Sequence, residues 1–354
     1  MSMEEIQRKR IRQGRTLYGS LTRAKIIFLL TLSAAIAVLL IANIGIGSSS
    51  ISTGEILHIL FGGEGEGHNS MIIRDIRLPM SLMAVLVGAA LGIGGCEIQT
   101  ILQNPIASPY TLGISAAASF GAALGLILEA NILAVPGTLL VTANSFAFAM
   151  LAAAVIYSFS LQRRIGKNAI VLFGVAVNFL FNAMTMFLQY VADEDELQSL
   201  VFWTFGSLLK STWEKVAIVA AALLICFILL YKNAWKLTAM TLDDAKAKSL
   251  GVDVERMRRL VIITTSLLTA FAVCFVGTIG FIGLIAPHIA RLAVGEDQRY
   301  FAPASALLGA FIVSFAFAVS KLIVPGVVLP VGLVTAFIGI PFFLAILLRK
   351  KEVV

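Results

Sequence analysis

Polar side chains recur at helical spacing inside one long apolar segment of the sequence. They are Asn178, Asn182, Thr185 and Gln189. Steps of four, three and four residues place all of them on one face of an α-helix. Inside a membrane, such a stripe either bonds to neighbouring helices or lines a water-filled path. We favour the second arrangement, in which the stripe belongs to a translocation pathway.

Glu97 is the one acidic residue deep within an apolar segment. Burying its charge costs several kcal/mol unless the carboxyl group is paired, protonated or hydrated. A helical wheel puts it on the side opposite Gly88, where a cavity wall or a subunit contact could receive it. We assign it to the pathway, and we keep open that it snorkels toward the near end of its span.

The segment 241–260 is the most informative polar stretch. Thr241 and Asp244 form a T-x-x-D pattern, which is typical of a helix start, and Gly251 is a typical helix stop. Asp253 can cap the helix that follows. The segment is therefore predicted to carry a short capped helix of its own.

Leu250 and Val252 lie at the end of this short helix, and both are predicted to be exposed. An ordinary loop is the simpler interpretation. However, a capped helix with exposed apolar side chains is more typical of a docking surface for a soluble partner.

Signatures of enzymes and metal sites are missing from the sequence. It contains no P-loop, no HExxH and no GxSxG motif. Cys96, Cys226 and Cys274 fall in three different apolar segments without metal-ligand spacing, so we expect packing roles. The sequence therefore predicts a protein that is not an enzyme and binds no metal or cofactor itself.

Composition determines the class of protein that must position these residues. Of the 354 residues, 59% are hydrophobic and 13% are charged, against usual shares of about 45–50% and about 25%. These values exclude an ordinary soluble domain, a disordered chain and a nucleic-acid-binding arm. The predicted fold class is an all-α polytopic membrane protein.

Ten apolar segments are long enough to be considered transmembrane helices. They lie at about 26–47, 78–102, 112–130, 137–161, 168–190, 214–231, 259–277, 280–294, 301–324 and 330–348. The eighth is short for a full crossing. We divide the chain into a basic cytoplasmic segment 1–25, one transmembrane domain 26–349, and a cytoplasmic tail 350–354.

The basic residues predict the orientation. With both termini in the cytoplasm, 22 of the 27 Lys and Arg residues fall on the inside, as the positive-inside rule requires. Glycines indicate close helix packing, because Gly88, Gly92 and Gly95 share one helical face, and Gly121 and Gly125 repeat the spacing.

Several sequence blocks, in order, resemble one transporter family. They include Arg77-Leu78-Pro79, Gly88-Ala89-Ala90-Leu91, Asn104-Pro105-Ile106-Ala107-Ser108-Pro109, Ser249-Leu250-Gly251-Val252, Gly280-Phe281-Ile282-Gly283-Leu284 and Leu329-Pro330-Val331-Gly332. The chain resembles, from about residue 25 to 348, the permease subunits of ABC importers for ferric siderophores, haem and vitamin B12. A ferric siderophore is the favoured substrate class.

The resemblance implies partners and a location. It implies a dimer of two permease subunits with a central path, two cytosolic ATPase subunits that bind ATP and Mg, and an extracytoplasmic substrate-binding protein. It also implies a multi-pass protein of the bacterial cell (inner or plasma) membrane. Homodimer and heterodimer both stay open. The alternative is an ion-coupled secondary transporter, in which Glu97 carries the coupling proton.

The resemblance also implies residue roles. It makes 241–252 the coupling helices that contact the ATPase, with a set of contributing side chains. These are Asp243, Asp244, Lys246, Lys248, Leu250 and Gly251.

Two other sites follow from the same resemblance. Asn104 and Pro105 match the inner gate. Arg77 and Lys321 match outer basic positions that dock the binding protein. Arg74 replaces a second arginine that many relatives carry where this chain has Met80.

Overall fold

The computed structural model describes residues 3–47, 51–65, 67–162, 166–324 and 326–349, and within them it contains fifteen α-helices and no β-strand. In chain order these are α1 (Met3–Gly45), α2 (Thr53–Leu60), α3 (Asn69–Met71), α4 (Leu78–Leu102), α5 (Ile114–Ile127), α6 (Leu140–Ser160), α7 (Lys167–Val191), α8 (Glu194–Thr204), α9 (Trp213–Tyr231), α10 (Ala234–Met240), α11 (Asp244–Ser249), α12 (Val254–Val276), α13 (Ile282–Val294), α14 (Gln298–Leu322) and α15 (Val331–Arg349). A π-helical turn, Ile72–Arg77, joins α3 to α4.

The apolar helices match the ten predicted segments. Within the part of the chain that the structure describes, seven helices are long and apolar enough to cross a membrane, and three shorter apolar helices, Ile114–Ile127, Ile282–Val294 and Val331–Leu344, complete the set. The all-α polytopic fold is thus confirmed. At about 1.5 Å per residue, α13 spans only about 20 Å, so the eighth segment is as short as expected. The predicted tail 350–354 lies outside the described residues.

Helix α4 forms the centre of the bundle, and most of its residues are buried. It packs against α14 through glycines on both helices. A Cβ atom on Gly88 would lie 2.3 Å from the carbonyl oxygen of Gly309, and one on Gly309 would lie 2.1 Å from the carbonyl oxygen of Gly88. The two backbones are therefore in direct contact. Gly95 makes the same kind of contact with Gly283, the second residue of α13.

A second glycine contact joins α5 to α6. A Cβ atom on Gly121 would lie 2.4 Å from the carbonyl oxygen of Asn144, and Gly125 packs against Val141. Both predicted sets of small residues therefore lie at helix interfaces, where short backbone separations increase van der Waals contact between helices.

The end of α1 is held by two cations. The Arg77 guanidinium donates to the carbonyl oxygens of Ile44 and Gly45 at 2.8 and 3.2 Å, and Lys321 Nζ donates to that of Asn43 at 2.6 Å. The last carbonyl groups of a helix lack intrahelical partners and carry partial negative charge. Arg77 and Lys321 therefore tie α1 to the start of α4 and the end of α14.

Replacing Gly88 with alanine tests the central contact. The added Cβ meets backbone, which cannot rotate away as a side chain can, so α4 and α14 must separate. We expect Gly88→Ala to lower the free energy of unfolding by about 1–3 kcal/mol or more. Thermal unfolding of the purified chain in detergent measures the effect.

Gly54→Ala is the matched control, because a Cβ on Gly54 in α2 meets nothing within 4 Å. Alanine is a better helix former than glycine by roughly 0.5–1 kcal/mol, so this variant is expected to unfold at the same temperature as the parent or higher. Equal unfolding temperatures for Gly88→Ala and the parent would contradict the close packing.

Candidate translocation pathway and coupling surface

The polar stripe on α7 faces a cavity of about 300 Å³. All four residues of the stripe line it, together with residues of α5, α8 and two loops. The lining consists of Tyr110, Ser115, Ala116, Ser119, Asn178, Asn182, Thr185, Met186, Gln189, Thr204 and Thr278. None of these lining residues carries a charge at neutral pH. The cavity therefore offers neutral hydrogen-bonding groups and methyl groups.

Part of the stripe is already hydrogen-bonded. Asn182 Nδ2 donates to Asn178 Oδ1 at 2.6 Å, and Asn178 Nδ2 donates to the carbonyl oxygen of Tyr110 at 3.3 Å. The Thr185 hydroxyl donates to the carbonyl oxygen of Phe181 within the same helix at 2.8 Å. A surface whose polar groups are partly satisfied can contact a passing solute without binding it tightly.

Helix α5 contributes two residues that the sequence analysis did not single out. Ser115 and Ser119 are buried and lie one helical turn apart on the cavity side. Their spacing of four residues was the available signal. Tyr110 and Ser115 also line a second, mostly apolar cavity of about 230 Å³ between α4 and α13.

Glu97 is fully buried, so it does not snorkel to the end of its span. It is not among the residues that line either cavity. Neither carboxyl oxygen has a hydrogen-bond partner among the described residues. Ile93 and Ile101, one turn away on either side, belong to a buried apolar cluster. Because an unpaired buried carboxylate is costly, this environment favours the uncharged acid.

The segment after α4 contains the predicted inner gate. Asn104 Oδ1 accepts from the backbone N–H of Ile106 at 3.0 Å, which forms a tight turn around the exposed Pro105. Gln103 precedes it in a left-handed conformation with φ of 49°.

Gln103 links the gate segment to the region before α11. Its side-chain amide donates to the carbonyl oxygen of Met240 at 2.9 Å and also to that of Leu242. The sequence analysis missed this role, because a glutamine and a backbone carbonyl 137 residues later leave no pattern in the sequence.

The predicted short helix exists as α11, but its first cap differs from the prediction. Asp243, not Thr241, is the N-cap residue, and its side chain accepts from the backbone N–H of Asp244. The T-x-x-D pattern was therefore placed two residues early. Gly251 ends the helix region with φ of +81°, and Asp253 caps α12 as expected.

Most of α11 is exposed. The exposed residues include Asp243, Lys246, Lys248 and Gly251, and Leu250 is 50% exposed.

Val252 is only 3% exposed and packs in the core with Ala247, so the prediction that Val252 is exposed was wrong. The left-handed turn at Gly251 reverses the chain and directs Val252 inward. Leu250 is thus the apolar side chain that this end of α11 presents.

Asp244 connects α11 to the bundle through ion pairs. Its two carboxylate oxygens accept from Lys167 Nζ at 2.7 Å and from the Arg258 guanidinium at 3.0 Å. Partial burial alone would raise the pKa of Asp244, but the bonds from Lys167 and Arg258 outweigh it and hold that pKa below its usual value. Asp244 is therefore ionised at neutral pH and faces the bundle.

The three predicted outer cations lie at the end of α4 opposite Gln103. Arg74 is exposed and donates to the carbonyl oxygens of Ile59 and Gly63 at 3.0 Å each. Arg77 is only 7% exposed, and Lys321 is half-buried against the ring of Phe317. Arg74 is thus the member of this group whose side chain reaches the surface.

Comparison with known proteins places these features in a family. The model of the FecCD transport family matches residues 35–349. The molybdate import system permease of Haemophilus influenzae is 32% identical over 93% of this chain and 96% of its own length. The Fe(3+)-citrate import system permease of Bacillus subtilis is 35% identical over 90% of this chain and 94% of its own length.

A solved structure of an inward-facing metal-chelate type ABC transporter shares the fold. Its TM-score is 0.80 at 30% identity, with 91% of this chain and 98% of the other covered. The residues matched by the family model, 35–349, include the stripe, the gate segment and α11. The chain belongs to the FecCD transport family and is a multi-pass membrane permease subunit of an ABC importer for metal chelates.

Proposed function

We propose that this permease passes a ferric siderophore from an extracytoplasmic binding protein to the cytoplasm. The energy comes from hydrolysis of Mg-bound ATP in two partner ATPase subunits, and a second permease subunit completes the path. The iron-chelate name of the B. subtilis relative supports the substrate class. The H. influenzae relative is named for molybdate, so selection among metal ligands is assigned to the binding protein.

The observation that carries the proposal is the exposed face of α11 beside the gate segment. An exposed apolar side chain on a short capped helix suits a cleft in a soluble ATPase. Gln103 connects the region before this helix to the segment that leads to the cavity. The neutral cavity lining suits a bulky chelate that must be released after passage.

The binding protein is proposed to dock at the opposite end, through Arg74, Arg77 and Lys321. Arg74 makes the first contact, because its side chain is exposed. Arg77 and Lys321 support the same surface by holding the end of α1 in place.

Family membership favours the importer over an ion-coupled carrier, and the position of Glu97 agrees. A proton-coupling acid must exchange protons with water, yet Glu97 is buried outside both cavities.

Changing Leu250 tests the docking surface. Leu250→Asp replaces an exposed apolar anchor with a charge, and burying a leucine side chain contributes about 1.5–3 kcal/mol. We expect ATPase binding to weaken by about tenfold or more. Co-purification and titration of the ATPase on permease in nanodiscs measure this affinity.

Leu161→Asp is the control, because Leu161 is also 50% exposed and lies at the end of α6, six residues before α7 begins at Lys167. It is expected to leave ATPase affinity unchanged. Normal affinity in Leu250→Asp would remove α11 from the docking surface.

The stripe is tested by accessibility of introduced cysteines. Asn182→Cys and Gln189→Cys face the cavity, whereas Leu180→Cys and Phe187→Cys lie about half a turn away on the apolar face. A membrane-impermeant maleimide is expected to react with the first pair at least about tenfold faster, because thiols react only where water reaches them. The native cysteines are buried. Equal rates in both pairs would make the stripe an interhelical contact.

Glu97→Gln separates the two transport mechanisms. Glutamine has the shape of the uncharged acid, so ATP-driven uptake of a ferric hydroxamate is expected to stay within about twofold of the parent. Uptake is measured in proteoliposomes with and without a protonophore. Loss of uptake in Glu97→Gln, together with protonophore sensitivity of the parent, would favour the proton-coupled carrier.

A further inference from the structure

The inward side of α11 carries an ionic contact that a docking surface does not need. Asp244 accepts a bond from Lys167 on one oxygen and from Arg258 on the other. The Lys167 and Arg258 side chains are only 17% and 11% exposed, and Asp244 is 35% exposed. Low exposure reduces screening by water and salt, so these contacts are stiffer than ordinary surface pairs.

The two cations belong to helices with different functions. Lys167 is the first residue of α7, which carries the polar stripe. Arg258 lies on α12, a largely buried helix that packs against the central α4. Asp244 is thus the point where α11 meets both the cavity-lining helix and the core of the bundle.

We propose that Asp244, Lys167 and Arg258 form an ionic joint through which a displacement of α11 is transmitted to α7 and its polar stripe. The three are positioning residues. The inference rests on the proposed function, because it requires α11 to be moved by the ATPase.

The geometry of α7 suits this transmission. A helix is stiff along its axis, and Asn182 lies fifteen residues from Lys167, or roughly 22 Å at about 1.5 Å per residue. A displacement or rotation of α7 at Lys167 therefore moves the stripe residues by nearly the same amount. Arg258 holds the other carboxylate oxygen, so Asp244 pivots against α12 and does not simply separate from the bundle.

Lys167 is the residue that distinguishes transmission from α11 to α7 from simple attachment of α11 to α12. Arg258 suffices to attach α11 to its sequence neighbour α12, whereas Lys167 joins α11 to a helix 77 residues away from Asp244 in sequence. Loss of the Lys167 charge should therefore leave α11 attached and able to dock, while the stripe no longer follows it.

The experiment measures movement of the stripe in the complete complex with its ATPase. Asn182→Cys provides the reporter, and a membrane-impermeant maleimide is applied with no nucleotide and again after trapping with ATP and vanadate. We expect the labelling rate to differ by about tenfold between the two states in the parent. In Lys167→Met the ratio falls to about one, although the ATPase stays bound and hydrolyses ATP.

Two controls accompany this measurement. Lys167→Arg keeps the charge and should retain the tenfold ratio. Lys232→Met removes an exposed lysine at the end of α9 and should also retain it. An unchanged ratio of labelling rates in Lys167→Met overturns the joint. A parent whose labelling rate is the same in both nucleotide states also overturns it. Failure of the parent to bind any ATPase refutes the proposed function instead.

A cysteine pair covers the case in which Lys167→Met does not assemble. Lys167→Cys with Asp244→Cys removes both charged groups, and a short bis-methanethiosulfonate then rejoins the two helices. The native cysteines are buried and do not compete for the reagent. For this arm the readout is ATPase coupling to ferric hydroxamate uptake. Bridging should restore uptake, and a bridged protein that stays inactive overturns the joint.

Discussion

Backbone contact between α4 and α14 is the constraint on which the rest of the bundle depends. Gly88 and Gly309 approach so closely that neither position has space for a Cβ atom. In a membrane the lipid tails are as apolar as the side chains, so helices associate through close packing more than through the hydrophobic effect. The glycines supply that packing, and α4 becomes the rigid axis around which α12, α13 and α14 are arranged.

The two ends of this axis carry different polar chemistry. At one end Arg77 and Lys321 satisfy the last carbonyl groups of α1. At the other end Gln103 binds backbone carbonyls before α11, and Gln99 accepts from Arg291 at 3.1 Å. Helix α4 is therefore joined to α1 at one end, and to α13 and the region before α11 at the other.

The α11 region combines an outward and an inward function in one short helix. Leu250 and Lys246 face outward, while Asp244 faces Lys167 and Arg258. At about 100° per residue, Lys246 lies about 160° and Leu250 about 120° from Asp244 around the helix axis, whereas Lys248 lies one turn after Asp244 on the same face. A partner that binds the outer face would thus have a direct mechanical connection to α7.

Local features of the sequence determined the membrane class, the ten apolar helices, the stripe on α7 and the caps at Gly251 and Asp253. Each depends on composition or on spacing within one or two helical turns. Such signals act over short distances, so no alignment of distant segments is needed to interpret them.

Tertiary structure alone decided the burial of Arg77 and Val252 and the partners of Asp244 and Gln103. It also showed Glu97 to be fully buried, with no hydrogen-bond partner among the described residues. These features depend on which segments meet in space, with separations in sequence from 14 residues for Asp244 and Arg258 to 137 residues for Gln103 and Met240. The periodicity of one helix specifies which residues share a face, but the facing helix decides whether that face meets core, cavity or solvent.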